Sequence, residues 1–112
     1  MDKRIEAWLI DIQNAIDEIF DFLPQERNYV TFQQDLKTRR AIERNIEIIG
    51  EAMNRILKVD NQFKISNARR IVDTRNRVSH GYDSVSESVI WAIVVKELPK
   101  LLKEVQIHLY SK

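Results

Sequence analysis

The chain has 112 residues, a length that allows one hydrophobic core and therefore a single domain spanning residues 1–112. Its 18 basic and 17 acidic side chains give a formal net charge of +1, which excludes a highly basic nucleic-acid coat but allows a local basic patch. Because the chain has no cysteine, disulfides, thiolate nucleophiles and cysteine-ligated zinc are excluded.

Insertion into a membrane is not expected. The longest apolar run, Val89 to Val95, is far too short to cross a bilayer. The first segment, MDKRIEAW, is amphipathic from the start and lacks the apolar stretch of a signal peptide. We therefore expect a cytoplasmic protein. A composition rich in helix formers, with two Gly and two Pro, favours helices joined by short connections.

The first half of the chain predicts two long helices. Apolar residues spaced by three and four indicate a first helix from Asp2 to Leu23, which Pro24 ends. The residues of this apolar stripe are Ile5, Trp8, Leu9, Ile12, Ile16, Ile19, Phe20 and Leu23. A connection with one loose turn at Thr31 to Gln34 leads to a second helix, from Leu36 to about Lys58. The second helix carries two apolar lines, which are enough for contact with two neighbouring helices. The first line is Ile42, Ile46, Ile49, Met53, Ile56 and Leu57, and the second is Ala41, Ile48 and Ala52.

Gly50 lies inside this second helix, where glycine costs about 1 kcal/mol relative to alanine. One interpretation is a close approach by another backbone or by a ligand. The other, which we favour, is tight packing of two helices. Either interpretation requires space beside Gly50 that a larger side chain would fill.

The second half predicts two further helices. The third begins near Ser66 or Asn67, either of which can cap it, and lasts to about His80. The fourth spans about Ser86–Tyr110 and is bent by Pro99. Its segment VIWAIVV is apolar on every side, so it is either surrounded by neighbouring helices or faces a second subunit. The expected fold is all-α, an up-and-down bundle of about four main helices.

Arg75 occupies an unusual place on the third helix. On a helical wheel it falls in the middle of the apolar face, whereas Arg70 and Arg77 project to the opposite side. The apolar face is formed by Ile65, Ala68, Ile71, Val72, Val78 and Ser79. A buried charge is costly without a partner. The wheel allows either a salt bridge to an acid such as Glu47 or Glu51, or a guanidinium that lines a cleft and binds an anion.

His80 lies where the third helix ends, followed by Gly81 in a position suited to the left-handed conformation. The partial negative charge of a helix end favours the imidazolium, which suits proton transfer near neutral pH. Arg75 and His80 lie about 140° apart on an ideal helix. Their side chains converge only if the helix unwinds at its end or a second subunit completes the site. Tyr82 adds a phenol nearby. His108, with no cluster of polar residues near it in the sequence, is not expected to be functional.

Separate stretches of the chain resemble HepT-type toxins, which are ribonucleases of the HEPN-domain class. Residues 44–52, RNIEIIGEA, are similar to the core of the family's long second helix. RNRVSHGYD fits the family's Arg-x4-His-x-Tyr motif at Arg75, His80 and Tyr82, and Asn76 supplies the polar residue that often follows the arginine. VIWAIVVKELPKL matches the start of the family's last helix, so the resemblance covers nearly the whole chain.

The resemblance implies a HEPN-like bundle and a metal-independent endoribonuclease that acts on RNA without a cofactor. By this resemblance Arg75 would hold the scissile phosphate and His80 would transfer protons, while Asn76 would orient His80 or the phosphate. Family members form homodimers whose two motifs face one cleft. They are encoded beside an MntA-type nucleotidyltransferase antitoxin, which transfers AMP to the motif tyrosine, here Tyr82. No metal site is expected, because no pair of ligands flanks His80 at zinc-like spacing.

Two other classes of function remain open at the level of sequence. In the first, the protein is a non-catalytic module that binds nucleotide or substrate and partners the nucleotidyltransferase. In the second, it is a structural bundle with a buried Arg–Glu pair. The first would bind nucleotide through the same motif without cleaving RNA. The second would unfold when the arginine is removed.

Overall fold

The computed structural model describes residues 1–79 and 87–111, except for the side chains of residues 76–79. All regular secondary structure in the described part of the chain is helical, without any strand, which confirms the predicted helical bundle. The elements are α1 (Lys3–Phe22), α2 (Tyr29–Gln34), α3 (Leu36–Val59), α4 (Ala68–Ser79), α5 (Glu87–Ala92), a π-helical turn (Ile93–Glu97) and α6 (Leu98–Tyr110). Within the described ranges, no helix is long and apolar enough to cross a membrane.

The first helix begins at an acidic cap, within one residue of its predicted bounds at both ends. The Asp2 carboxylate accepts hydrogen bonds from the backbone amides of Arg4 and Ile5, which the helix leaves unpaired. The side chain of Arg4 also donates to this carboxylate, and these bonds together lower the pKa of Asp2 to about 2. The α1 residues buried in the core are Ile5, Leu9, Ile12, Ala15, Ile16 and Ile19.

The central helix is α3, which packs against both α1 and α4 and so confirms the expectation of two neighbours. Its buried apolar residues are Ile42, Ile46, Ile49, Ala52, Met53, Ile56 and Leu57. Ile48 was predicted to lie on the second apolar line of this helix, but it is 40% exposed. Asn45 is a buried polar residue whose Nδ2 donates to the Ala15 carbonyl at 3.1 Å and to Glu18 Oε1 at 3.0 Å. These bonds offset the cost of burying its amide.

The last helical segment widens immediately before Pro99. Proline has no N–H to give to the carbonyl four residues earlier, and its ring crowds that carbonyl. Here the backbone takes a π-helical turn, and the Leu98 N–H donates to the Ile93 carbonyl, five residues earlier. Val94 and Leu98 are buried, whereas Val95 is 41% exposed. The apolar VIWAIVV segment is therefore only partly surrounded by neighbouring helices.

The end of α6 packs against the segment that precedes α4 and forms hydrogen bonds with it. His108 Nε2 lies 2.7 Å from the Lys64 carbonyl oxygen, and its ring lies 4.4 Å from that of Phe63. The amide and the hydroxyl of Ser66 both donate to Glu104, at 3.1 and 2.7 Å. The contacts of His108 thus hold the end of α6 against this segment.

Candidate active site

Arg75 lies on the face of α4 that packs against α3. Ala68 and Val72 on this face are buried and Ile71 is half-buried. The Arg75 side chain is 20% exposed, whereas Arg70 on the other side is 71% exposed. The helical wheel therefore predicted both arginines correctly. Arg75 is held in the helix interface along its aliphatic stem, with its charged end at the edge.

The close approach of α4 depends on Gly50. A Cβ atom at this position would lie 2.1 Å from Arg75 Cβ and 2.7 Å from Arg75 Cγ. Contacts this short do not occur between real side chains, so any residue larger than glycine would push the two helices apart. Gly50 is thus a site of tight helix packing, the interpretation favoured from sequence, and the atoms packed against it belong to Arg75.

Glu51, the next residue of α3, binds the end of the same arginine. Arg75 Nη2 lies 3.1 Å from Glu51 Oε2, and the Glu51 side chain is 42% exposed. Of the two acids considered from sequence, Glu51 is the partner. The pair lies at the protein surface and is not buried. In this setting an ion pair contributes about 0–1 kcal/mol to stability.

The other carboxylate oxygen of Glu51 binds a second arginine. Arg55 Nε donates to Glu51 Oε1 at 3.1 Å, across one turn of α3. A single carboxylate thus joins two guanidinium groups, one on α3 and one on α4. The pairing of Arg55 with Glu51 was not predicted from the sequence, although a spacing of four residues between an acid and an arginine on a helix favours such a pair.

These side chains line a surface groove of about 500 Å³ between α1, α3 and α4. Its lining includes three arginines and three acids, so the formal charges cancel; they are Arg44, Arg55 and Arg75 with Asp11, Glu47 and Glu51. Trp8 and Ile48 add an apolar part to the lining. Both residues belong to the apolar stripes that the sequence predicted to face the core, but Trp8 is only half-buried and Ile48 is exposed.

The other predicted site residues lie at or beyond the end of the described α4. Asn76 belongs to α4, but its side chain is outside the described set. His80 and Tyr82 fall among residues 80–86, outside the described residues. The structure therefore brings Arg75 to the groove and leaves the convergence of Arg75 with His80 as a prediction. No group of three or more His, Asp or Glu side chains in residues 1–79 and 87–111 is arranged to hold a metal ion.

A family model described as "Ribonuclease HepT-like" matches residues 12–107, which include α3, α4 and the Arg-x4-His-x-Tyr motif. The chain belongs to the HepT-like ribonuclease family. The match extends from α1 to α6 and confirms the resemblance to HepT-type HEPN ribonucleases that the two motifs indicated.

Several relatives of the chain are named as ribonucleases. The chain is similar to "Putative RNase MJ1380" of Methanocaldococcus jannaschii, with 34% identity over 110 residues that cover 96% of this chain and 99% of the relative. It is also similar to "Probable ribonuclease HepT" of Thermococcus cleftensis, with 33% identity over 105 residues that cover 90% and 92%. No solved structure matches the chain. Membership of this family points to RNA as the substrate class of the HepT-like chain.

Proposed function

We propose that this HepT-like protein is the toxin of a toxin–antitoxin system, a metal-independent endoribonuclease that acts in the cytoplasm. The observation that carries the proposal is the position of Arg75. In a chain of a ribonuclease family, the motif arginine lies at the edge of an open groove, where its guanidinium can meet an RNA phosphate. Arginine suits this task because its planar fork can form two parallel hydrogen bonds to phosphate oxygens.

The chemistry follows from Arg75 and His80. A base removes the proton of the RNA 2′-hydroxyl, the 2′-oxygen forms a bond to the adjacent phosphorus, and the bond from phosphorus to the 5′-oxygen breaks. An acid returns a proton to the leaving 5′-oxygen, so the products are a 2′,3′-cyclic phosphate and a 5′-hydroxyl. Arg75 stabilises the charge that develops on the phosphate. Asn76 orients His80 or the phosphate.

A homodimer supplies what one chain lacks. One histidine cannot easily act as both acid and base in a single step, whereas two copies of His80 facing one cleft divide the roles. In this proposal residues 1–112 act as a single HEPN-like domain.

The purified protein should cleave RNA in the presence of EDTA. The step described above needs no metal, so EDTA should leave the rate unchanged and the products should carry 2′,3′-cyclic phosphate ends, as detected by mass spectrometry. Cleavage by a metal-activated water would give products with different ends, and EDTA would block it. Tight nucleotide binding without any cleavage would instead support the non-catalytic module.

The second prediction concerns silencing of the toxin by AMP transfer to Tyr82. The Tyr82 hydroxyl oxygen would bond to the α-phosphorus of ATP, pyrophosphate would leave, and the phenolic proton would pass to a base on the antitoxin. The added phosphate is negatively charged and would compete with RNA for Arg75, while the nucleoside blocks His80. Co-expression with the adjacent MntA-type nucleotidyltransferase should add whole AMP units to the intact mass, and Tyr82→Phe should remain unmodified and toxic.

A catalytically inactive antitoxin serves as the control for this prediction. It should bind without adding mass and should leave the toxin active. Full neutralisation of Tyr82→Phe by the inactive antitoxin would show that binding alone silences the toxin, and the modification would then have no role.

A further inference from the structure

Arg75 is held at both ends of its side chain by two consecutive residues of α3. Its stem lies against Gly50, where no side chain intervenes, and its Nη2 binds Glu51 Oε2 at 3.1 Å. Its Nε is buried and has no hydrogen-bond partner within the described part of the chain. Among the described contacts, the ion pair with Glu51 is therefore the one that restrains the charged end of Arg75.

Glu51 is itself held in place. Its Oε1 accepts from Arg55 Nε at 3.1 Å, so the two carboxylate oxygens are divided between two arginines. A carboxylate bound on one side by its own helix has fewer orientations available toward α4. This arrangement differs from an ordinary exposed ion pair, in which two long side chains are free to move together.

We propose that Glu51 is a positioning residue, which orients the guanidinium of Arg75 in the groove for contact with the scissile phosphate. The inference rests on the proposed ribonuclease function. Glu51 does not touch the substrate, because a carboxylate repels a phosphate. It acts through Arg75: a bidentate contact requires the guanidinium plane to be correctly oriented, and an arginine already held in that orientation loses less entropy when the transition state forms.

The test compares two identical substitutions on α3. Glu51→Gln removes the negative charge and leaves a single acceptor oxygen for two arginines. Glu43→Gln is the matched control, because Glu43 also pairs with an arginine, Arg40 at 3.0 Å, outside the groove. A misplaced reacting group can cost roughly 100-fold in rate. We expect kcat to fall about 10- to 100-fold in Glu51→Gln with a nearly unchanged KM, and to stay within twofold in Glu43→Gln.

A second readout does not depend on catalysis. In ¹⁵N NMR spectra the Arg75 side chain, assigned by the loss of its signal in Arg75→Lys, should show slow rotation about the Nε–Cζ bond. Glu51→Gln should accelerate this rotation, and Glu43→Gln should not. Unchanged rotation in Glu51→Gln overturns the positioning role whether or not the protein cleaves RNA. Faster rotation with an unchanged kcat overturns it as well. A wild-type protein that shows slow rotation but never cleaves RNA would refute the proposed function alone.

Discussion

Replacing Arg75 or His80 by alanine should abolish RNA cleavage and growth toxicity while the fold survives. General acid–base groups contribute about 10²–10⁴-fold to rate, and donors that stabilise developing charge contribute about 10²–10³-fold. Each alanine variant should therefore fall at least about 100-fold in single-turnover cleavage. Arg75→Lys should fail as well, because an ammonium group is a point charge and cannot form the two parallel bonds of the guanidinium.

The contacts of Arg75 indicate that its removal leaves the protein folded. Its pair with Glu51 is partly exposed, with 20% and 42% of the two side chains accessible, so the lost ion pair costs about 0–1 kcal/mol. Alanine keeps the Cβ atom that lies against Gly50 and loses the packing of the rest of the stem. For a domain of this size, 1 kcal/mol corresponds to a few degrees in Tm. Thermal unfolding followed by circular dichroism should detect a small shift in Arg75→Ala.

Two results would contradict this view of the site. If Arg75→Ala unfolds the protein at room temperature, the arginine is a structural residue and the loss of cleavage carries no information about chemistry. If Arg75→Lys cleaves RNA at the wild-type rate, the site needs only a positive charge, and the bidentate contact is wrong.

The sequence predicted those parts of the fold that depend on periodicity. The α1 stripe placed Ile5, Leu9 and Ile12 in the core, and all three are buried. The same stripe included Trp8, which is only half-buried and lines the groove. A helical wheel gives the direction of each side chain but not the extent of the neighbouring helices. Whether a residue at the edge of a stripe is covered depends on tertiary packing.

The partner of Arg75 shows the same limit. Glu47 and Glu51 are one turn apart on α3, and the sequence left both as possible partners of a buried Arg75. In the structure both line the groove. What decides between them is the point where α4 comes nearest to α3. This point is set by Gly50, and Glu51 is adjacent to it. The sequence contained the glycine and the arginine, but their contact is a long-range property of the crossing between two helices, which local spacing cannot supply.

Gly50→Ala should destabilise the protein and displace Arg75, although alanine is the better helix former. The gain in helix propensity is about 1 kcal/mol. Against it, the new Cβ would lie 2.1 Å from Arg75 Cβ, next to the backbone, where the side chain cannot rotate away. Overpacking of this kind typically costs about 1–3 kcal/mol. We expect a lower midpoint in urea denaturation, with an unchanged slope.

The effect on cleavage should exceed the effect on stability. Domains of this kind have about 5–15 kcal/mol of stability, so a loss of about 2 kcal/mol leaves almost all molecules folded. A fall in kcat of about 10-fold or more would then come from movement of Arg75 and not from unfolding. Ala41 lies on the same helix outside the groove, and Ala41→Gly provides the opposite change in helix propensity as a control.

A double-mutant cycle isolates the contact itself. Arg75→Gly removes the two nearest atoms that the new Cβ would meet and leaves the Ile71 carbonyl oxygen at 3.3 Å. Gly50→Ala combined with Arg75→Gly should therefore recover part of the stability that the single Gly50→Ala variant loses. The coupling free energy should lie within the range of about 0.5–3 kcal/mol that residues in direct contact show. The double variant should remain inactive, since the guanidinium is absent. If Gly50→Ala instead raises the denaturation midpoint and keeps wild-type cleavage, helix propensity prevails, and the close approach of α4 to Gly50 does not set the position of Arg75.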